Sequence, residues 1–326
     1  MSAAVPDVKE IWSGRIVEVT LGAGPDQGGT RRTTVTVGGQ NTLPFLHFEG
    51  QMPHKPVVAV EVRDQAPDDW SELLVQAWGD VLSDPAAWAA RAEELGAEVI
   101  ALSLDSAHPE RGDTGAKEAR STVRRVLEAT GIPLIVYGPG QPDKDNEVLV
   151  AAAEEAAGER IALGNCEEKN YRTIVAAALA NDQLVIAKTP IDVNLAKQLN
   201  VLIGDMRLSR DHIIMDPTTG ALGYGLEYTY SVMERVRLAA LSGDAALQQP
   251  MIVTAGYEAW RAKETRTGEG VPAEWGDWRT RSLLWEANTA VTLLETGADI
   301  VVLRHPDVIP LVKQAIEGLM QDSPVA

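Results

Sequence analysis

Eight short apolar runs, each followed by a longer alanine-rich stretch, constrain the fold of this chain more than any other feature. The runs lie at residues 57–62 (VVAVEV), 99–104 (VIALSL), 133–137 (PLIVY), 161–164 (IALG), 184–187 (LVIA), 213–215 (IIM), 251–254 (MIVT) and 300–303 (IVVL). Runs so rich in Val, Ile and Leu predict strands buried on both faces, the situation in a parallel sheet covered by helices. The stretches between them predict helices over 85–95, 116–130, 146–157, 171–180, 193–202, 227–241, 280–296 and 306–319. Gly96, Gly131, Gly158 and Gly297 each follow a predicted helix directly, where a left-handed C-terminal cap favours glycine. Eight strands with a helix after each point to an α/β fold, a (β/α)8 TIM barrel, rather than an open doubly wound sheet, whose strand count is usually lower.

The first fifty residues read differently. Residues 15–21 (RIVEVTL) and 32–37 (RTTVTV) alternate apolar and polar side chains around a Gly- and Asp-rich turn at 22–29, which predicts an antiparallel hairpin. The expected organisation is therefore an N-terminal β-hairpin extension over 1–50 and a barrel domain over 51–326. The hairpin either pairs with another chain or closes the bottom of the barrel.

Composition narrows the function. With 29 Lys and Arg against 47 Asp and Glu, the net charge is −18, so nothing supplies the phosphate neutralisation that nucleic acid or an anionic membrane surface requires. No basic start followed by an apolar run is present at the N-terminus, and no apolar stretch approaches the ~18 residues of a membrane span. A soluble, cytoplasmic chain is expected. Cys166 is the single cysteine. It leaves no partner for a disulfide and too few thiolates for an iron–sulfur cluster or a cysteine-rich zinc site.

Active sites of such barrels gather at the C-terminal ends of the strands. Those positions carry Arg63 and Asp64, Asp105 and Ser106, the segment 137–140 (YGPG), Asn165 and Cys166, Lys188 and Thr189, the segment 216–220 (DPTTG), Gly256 and Tyr257, and Arg304 and His305. The ring is polar but holds no nucleophile–base pair, no HExxH and no glycine-rich phosphate loop. Lys188 offers a Schiff-base nucleophile or an ion pair closing the barrel, and the acidic residues around it favour the ion pair. Cys166 reads as a small buried side chain, and His305 as an anion-binding cap or a structural residue. The run 215–225 (MDPTTGALGYG) combines an acid, two hydroxyls and small residues, which allows close approach of a flat ligand or of another backbone; Asp216, Thr218, Thr219, Gly220 and Tyr224 are its candidates. Residues 255–279 are too long for a βα loop of ~2–6 residues and carry Trp260, Trp275 and Trp278. They predict either a lid or docking element, or an insertion with a short helix over 259–265 that buries its own tryptophans.

Several long stretches carry a resemblance: 215–241 (MDPTTGALGYGLEYTYSVMERVRLAAL), 54–64 (HKPVVAVEVRD), 162–171 (ALGNCEEKNY), 186–200 (IAKTPIDVNLAKQLN) and 254–264 (TAGYEAWRAKE). Together they resemble the small subunit of the corrinoid/iron–sulfur protein, the delta-subunit family of the carbon monoxide dehydrogenase/acetyl-CoA synthase system. The resemblance implies a TIM barrel that pairs with a large subunit carrying a 4Fe-4S cluster and a corrinoid-binding domain, with the corrinoid held at the barrel face. It implies that a methyl group passes from methyltetrahydrofolate, through a separate methyltransferase, to Co(I) and then to acetyl-CoA synthase in the reductive acetyl-CoA (Wood-Ljungdahl) pathway. Asp105, Asn165, Lys188, Asp216, Thr218, Thr219, Gly220 and Tyr224 are the positions expected to face the corrinoid. The barrel is also similar to pterin-binding methyltransferases, in which Asp and Asn side chains at strand ends hold the pterin. Lys188 departs from that pattern and argues against pterin binding; a freestanding pterin-dependent methyltransferase is the alternative reading.

Overall fold

The structure, a computed structural model, describes residues 9–321. Eight parallel strands close into a barrel: β3 (Val57–Arg63), β4 (Val99–Ser103), β5 (Leu134–Tyr137), β6 (Ala162–Cys166), β7 (Leu184–Lys188), β8 (Ile213–Asp216), β9 (Met251–Val253) and β10 (Ala298–Leu303), the last pairing back onto β3. They are the eight predicted runs. A separate two-stranded sheet, β1 (Val19–Leu21) and β2 (Val35–Val37), precedes them.

The outer ring contains α2 (Pro85–Glu94), α3 (Ala116–Ala129), α4 (Pro142–Glu155), α5 (Tyr171–Asn181), α6 (Val193–Asp205), α7 (Leu226–Leu241), α10 (Trp278–Glu295) and α11 (Val308–Leu319). The shorter α1 (Glu72–Trp78), α8 (Ala255–Ala259) and α9 (Lys263–Arg266) lie in the loops after β3 and β9. The sequence pattern does not show α1, whose seven residues hold too little periodicity. Helix α4 begins four residues before its predicted start, because Pro142 takes the first helical position, where its missing N–H costs nothing. Gly96, Gly158 and Gly297 have the expected positive φ. Gly131 does not; a Cβ there would lie 2.3 Å from Arg32 Nε, so the glycine serves close approach of the hairpin instead. No helix among the described residues is long and apolar enough to cross a membrane.

Alternation along the strands sorts the core in two. Val57, Ala59, Val99, Ala101, Ile135, Ala162, Leu184, Ile186, Ile214, Ile252, Ile300 and Val302 fill the barrel, while the intervening Val58, Val60, Ile100, Leu102, Val136, Leu163, Val185 and Val301 pack outward under the helices. This is the period-two pleat of a closed sheet.

The hairpin belongs to the inner set. Val19, Leu21 and Val37 pack among the barrel-filling residues at the end opposite the strands' C-termini. Gly22 N–H donates to Arg160 O, and the Arg160 guanidinium returns a bond to Thr20 O at 2.9 Å. The Arg31 guanidinium, buried, meets Glu159 at 2.8 Å and the carbonyls of Leu127 and Thr130. Each strand is shorter than its predicted run: in the first, Val17 N–H turns away to Gln248 O, and in the second the N–H groups of Arg32 and Thr33 both go to Gly131 O. The hairpin therefore closes the barrel bottom. Truncating its central plug, Leu21→Ala, is expected to cost about 2–5 kcal/mol in urea unfolding, the range for a filled core site; a loss below about 0.5 kcal/mol would mark the hairpin as a detachable appendage.

Candidate functional site

The same alternation builds the site. Continuing the inward-facing positions of each strand toward its C-terminus leads to Glu61 and Arg63, Ser103 and Asp105, Tyr137, Lys188, Asp216, Thr254 and Arg304. Strand β6 adds Asn165, for its register with β7 shifts between Leu163 and Cys166. With the exception of Arg304, these residues line a mouth of about 660 Å³, joined by Asp69, His108, Arg111 and Tyr257 from the loops.

One wall of the mouth is internally neutralised. Glu61, buried, receives Arg304 through Nε and Nη2, each at 2.7 Å, and Arg63 Nε at 2.9 Å. Burial would raise its carboxyl, but the charges and hydrogen bonds of Arg304 and Arg63 outweigh that and hold it at about 2. Arg63 also binds Asp69 at 2.6 Å and lies 3.4 Å from Asp105, which in turn takes Arg111 at 3.2 Å. The Trp70 ring faces both guanidiniums, at 5.3 Å from Arg63 and 5.2 Å from Arg304, and Tyr257 lies 4.7 Å from Arg304. Asp64, out of the inward register, accepts from Ser106 N–H at 2.9 Å instead.

Behind this wall stands Glu286 of α10, fully buried. It accepts from Arg304 N–H and from the Trp260 indole, both at 2.6 Å. Burial pushes its carboxyl up to about 7 against those hydrogen bonds. Trp260 stacks on His305 with 5.7 Å between ring centroids, and burial lowers that imidazole to about 4. His305 is thus neutral and structural near pH 7.

The long 255–279 connection is fixed rather than loose. Trp260 is buried against Glu286, Trp278 donates to Thr265 O at 2.8 Å, and Trp275 lies beneath Arg281 at 5.4 Å. The predicted 259–265 helix is replaced by α8 and α9 around that anchor. Only Tyr257 of this segment reaches the mouth.

The opposite wall, from β5 to β8, is unsatisfied. Tyr137 Oη is buried without a hydrogen-bond partner, and Gly164 makes room for its ring, since a Cβ there would lie 2.6 Å from Tyr137 Cε1. The Asn165 side-chain amide and the Lys188 ammonium make no hydrogen bond or ion pair among the described residues. The expected ion pair closing the barrel is therefore not formed. Lys188 stands in register with Asp216, but the Asp216 carboxylate takes Thr218 N–H at 2.8 Å, and burial raises it with the Lys188 charge opposing.

Of the predicted corrinoid-facing residues, Asp105, Asn165, Lys188 and Asp216 come together in the mouth. Thr218 lies in an adjoining groove of about 440 Å³, which shares Lys188 with the mouth, and its hydroxyl donates to Thr189 O. Thr219, Gly220 and Tyr224 stand outside the mouth. Thr219 Oγ1 accepts Thr254 N–H, Gly220 N–H donates to Thr229 Oγ1, and Tyr224 donates to Glu264 at 3.1 Å. Cys166 faces outward under the helices, and burial pushes its thiol up. Sequence reasoning missed Glu61, although a charge at an inward position of VVAVEV signals it. Glu286 carries no such signal. No group of three His, Cys, Asp or Glu side chains among the described residues forms a metal-ligand set.

The two buried carboxylates carry opposite pH signatures. Glu61, lowered from 4.5 to about 2, contributes stability above pH ~4.5 that is lost as pH falls toward 2. Glu61→Gln should cost about 3–5 kcal/mol at pH 7, because two buried guanidiniums lose their countercharge; in urea unfolding the deficit should shrink below pH ~4.5. Glu286, raised from 4.5 to about 7, imposes a penalty that grows as pH rises between those values. Glu286→Gln should therefore become relatively more stable than the parent from pH 4.5 to 7, and a pH-independent difference would contradict the assignment.

Solved structures with this fold include dihydropteroate synthase from Xanthomonas albilineans with 4-aminobenzoic acid (TM-score 0.57, 16% identity, covering 86% of this chain and 98% of that one). The Coxiella burnetii dihydropteroate synthase in complex with pteroic acid is similar at a TM-score of 0.57 and 13% identity, covering 93% and 98%. At that identity the likeness is one of fold. Sequence likeness is far closer to the acetyl-CoA decarbonylase/synthase complex subunit delta of Archaeoglobus fulgidus, 39% identical over 321 residues, 95% of this chain and 70% of that protein. The subunit of the same description from Methanopyrus kandleri is 39% identical over 310 residues, covering 94% and 76%. The profile of the CO dehydrogenase/acetyl-CoA synthase delta subunit matches residues 18–317, and the chain belongs to that family.

Proposed function

We propose that this chain is the delta-type subunit of an acetyl-CoA decarbonylase/synthase complex, and that its barrel mouth covers one face of a corrinoid held by a larger partner subunit. The observation that carries the reading is the division of the mouth into a neutralised wall and an unsatisfied one. Tyr137 Oη, Asn165, Lys188 and Asp216 present polar groups to the mouth without side-chain partners of their own. Such a surface fits the polar rim of a macrocycle, and a ligand supplies the partner that the buried Tyr137 hydroxyl lacks. The bound corrinoid would supply a cobalt that accepts a methyl group originating on methyltetrahydrofolate and yields it to acetyl-CoA synthase.

What the chain's own residues do is position and protect. The Arg63–Glu61–Arg304 wall keeps its shape through mutual charge neutralisation, so the mouth need not reorganise on binding. Cys166 faces away from the mouth and stays protonated, so no thiolate competes for the methyl group. A 4Fe-4S cluster belongs on the large subunit, since Cys166 is the single cysteine here. Separate methyltransferase and acetyl-CoA synthase partners complete the transfer.

Co-expression with a corrinoid-bearing, cluster-bearing subunit tests the reading. A stable heterodimer with a corrinoid absorption spectrum is expected, with the spectrum perturbed by Lys188→Met. If the isolated chain instead methylates an acceptor from methyltetrahydrofolate with no corrinoid partner, it is a pterin-dependent methyltransferase and the proposal falls.

A further inference from the structure

The unsatisfied wall has a definite chemical preference. Lys188 can only donate, the Asp216 carboxylate can only accept, and the Asn165 amide and Tyr137 hydroxyl do both. All four project from the adjacent strands β5 to β8 into one cavity, and no side chain of the facing wall bonds to them. The carboxylates of the facing wall are saturated: Glu61, Asp69 and Asp105 are each taken by an arginine.

Charge excludes two classes of ligand. An anion drawn to Lys188 would meet Asp216, whose carboxyl already feels Glu167 and Glu258. A cation drawn to Asp216 would meet the Lys188 ammonium. A neutral group offering N–H and C=O together satisfies both residues without a net charge. We propose that the β5–β8 wall is a carboxamide-recognition surface, with Asp216 accepting from the amide N–H, Lys188 donating to its carbonyl, and Tyr137 Oη and Asn165 taking the remaining valences. This rests on the corrinoid reading, because the rim of a corrinoid carries primary carboxamides, and it selects one wall of the mouth as the surface that grips them. Gly164 acts as a positioning residue, for any side chain there would displace the Tyr137 ring.

Two probes with the same macrocycle separate the outcomes: cobinamide, with amide arms, and cobyrinic acid heptamethyl ester, whose arms accept hydrogen bonds but cannot donate. Binding to the complex of this chain with its corrinoid-bearing partner subunit, freed of its own corrinoid, is measured by equilibrium dialysis, read from corrinoid absorbance. The parent protein should favour the amide probe by about tenfold or more, since a site built to pair an N–H rejects the analogue lacking it. Tyr137→Phe, which keeps the ring in its Gly164 niche, and Asp216→Asn should each reduce that preference severalfold, with thermal unfolding confirming the fold. Equal affinity for the two probes, or a preference unchanged in both variants, overturns the carboxamide assignment while leaving corrinoid binding intact. If the parent complex binds neither probe, the corrinoid reading fails and the assignment with it.

Discussion

A carboxylate inside a barrel has to be neutralised where it stands, and the arrangement of the mouth follows from how Glu61 meets that requirement. Desolvation of an ion in an apolar interior costs several kcal/mol, recovered only when geometry and hydrogen bonding are good. Glu61 receives two guanidiniums, one from its own strand and one from the last strand, so the pair β3–β10 that closes the barrel is also the pair its charge spans. Arg304 in turn is fixed on every side. Its backbone N–H is held by Glu286, its carbonyl by the Trp78 indole, and its guanidinium lies against Trp70 and Tyr257. Through Glu286 the same residue secures Trp260, and so the start of the long 255–279 connection. Removing one carboxylate would loosen a strand end, two aromatic rings and a loop together.

Much of this was legible in the sequence, and the reason is period. Eight Val/Ile-rich runs yield eight strands because apolar patterning is a strong local signal, and strand parity carries it into the site. Tyr137, Lys188, Asp216 and Arg304 each fall two residues after a barrel-filling side chain: Ile135, Ile186, Ile214 and Val302. Asn165 breaks the count, and its place in the mouth depends on the register shift in β6, which no pattern of side chains announces.

The illegible part is non-local. The 215–225 run looked like a binding loop because it combines hydroxyls and glycines, yet Thr219 and Gly220 spend their hydrogen bonds on Thr254 and Thr229. Whether a polar loop serves a ligand or itself depends on partners distant in sequence. Lys188 failed expectation in the other direction. Its strand-end neighbour Asp216 invited an ion pair, but among the described residues no carboxylate lies within ion-pair distance of the ammonium; one Asp216 oxygen takes the Thr218 N–H and the other stays open. Glu286 lies in a helix with no local mark of its burial, and only packing against β10 explains it.

These two departures bear on function in the same sense. Beyond Asp216, the loop that seemed built for a ligand is self-satisfied and holds the mouth's rim in place; the lysine that seemed built for structure is unpaired and opens onto the mouth. The Tyr137 hydroxyl, buried without a partner in a barrel otherwise closed by arginine–carboxylate pairs, costs desolvation without return in the free chain. That cost is recovered when a complementary polar surface covers the wall. A mouth built this way is stabilised by whatever complementary ligand or partner surface covers it, because binding then satisfies groups that the chain alone leaves open.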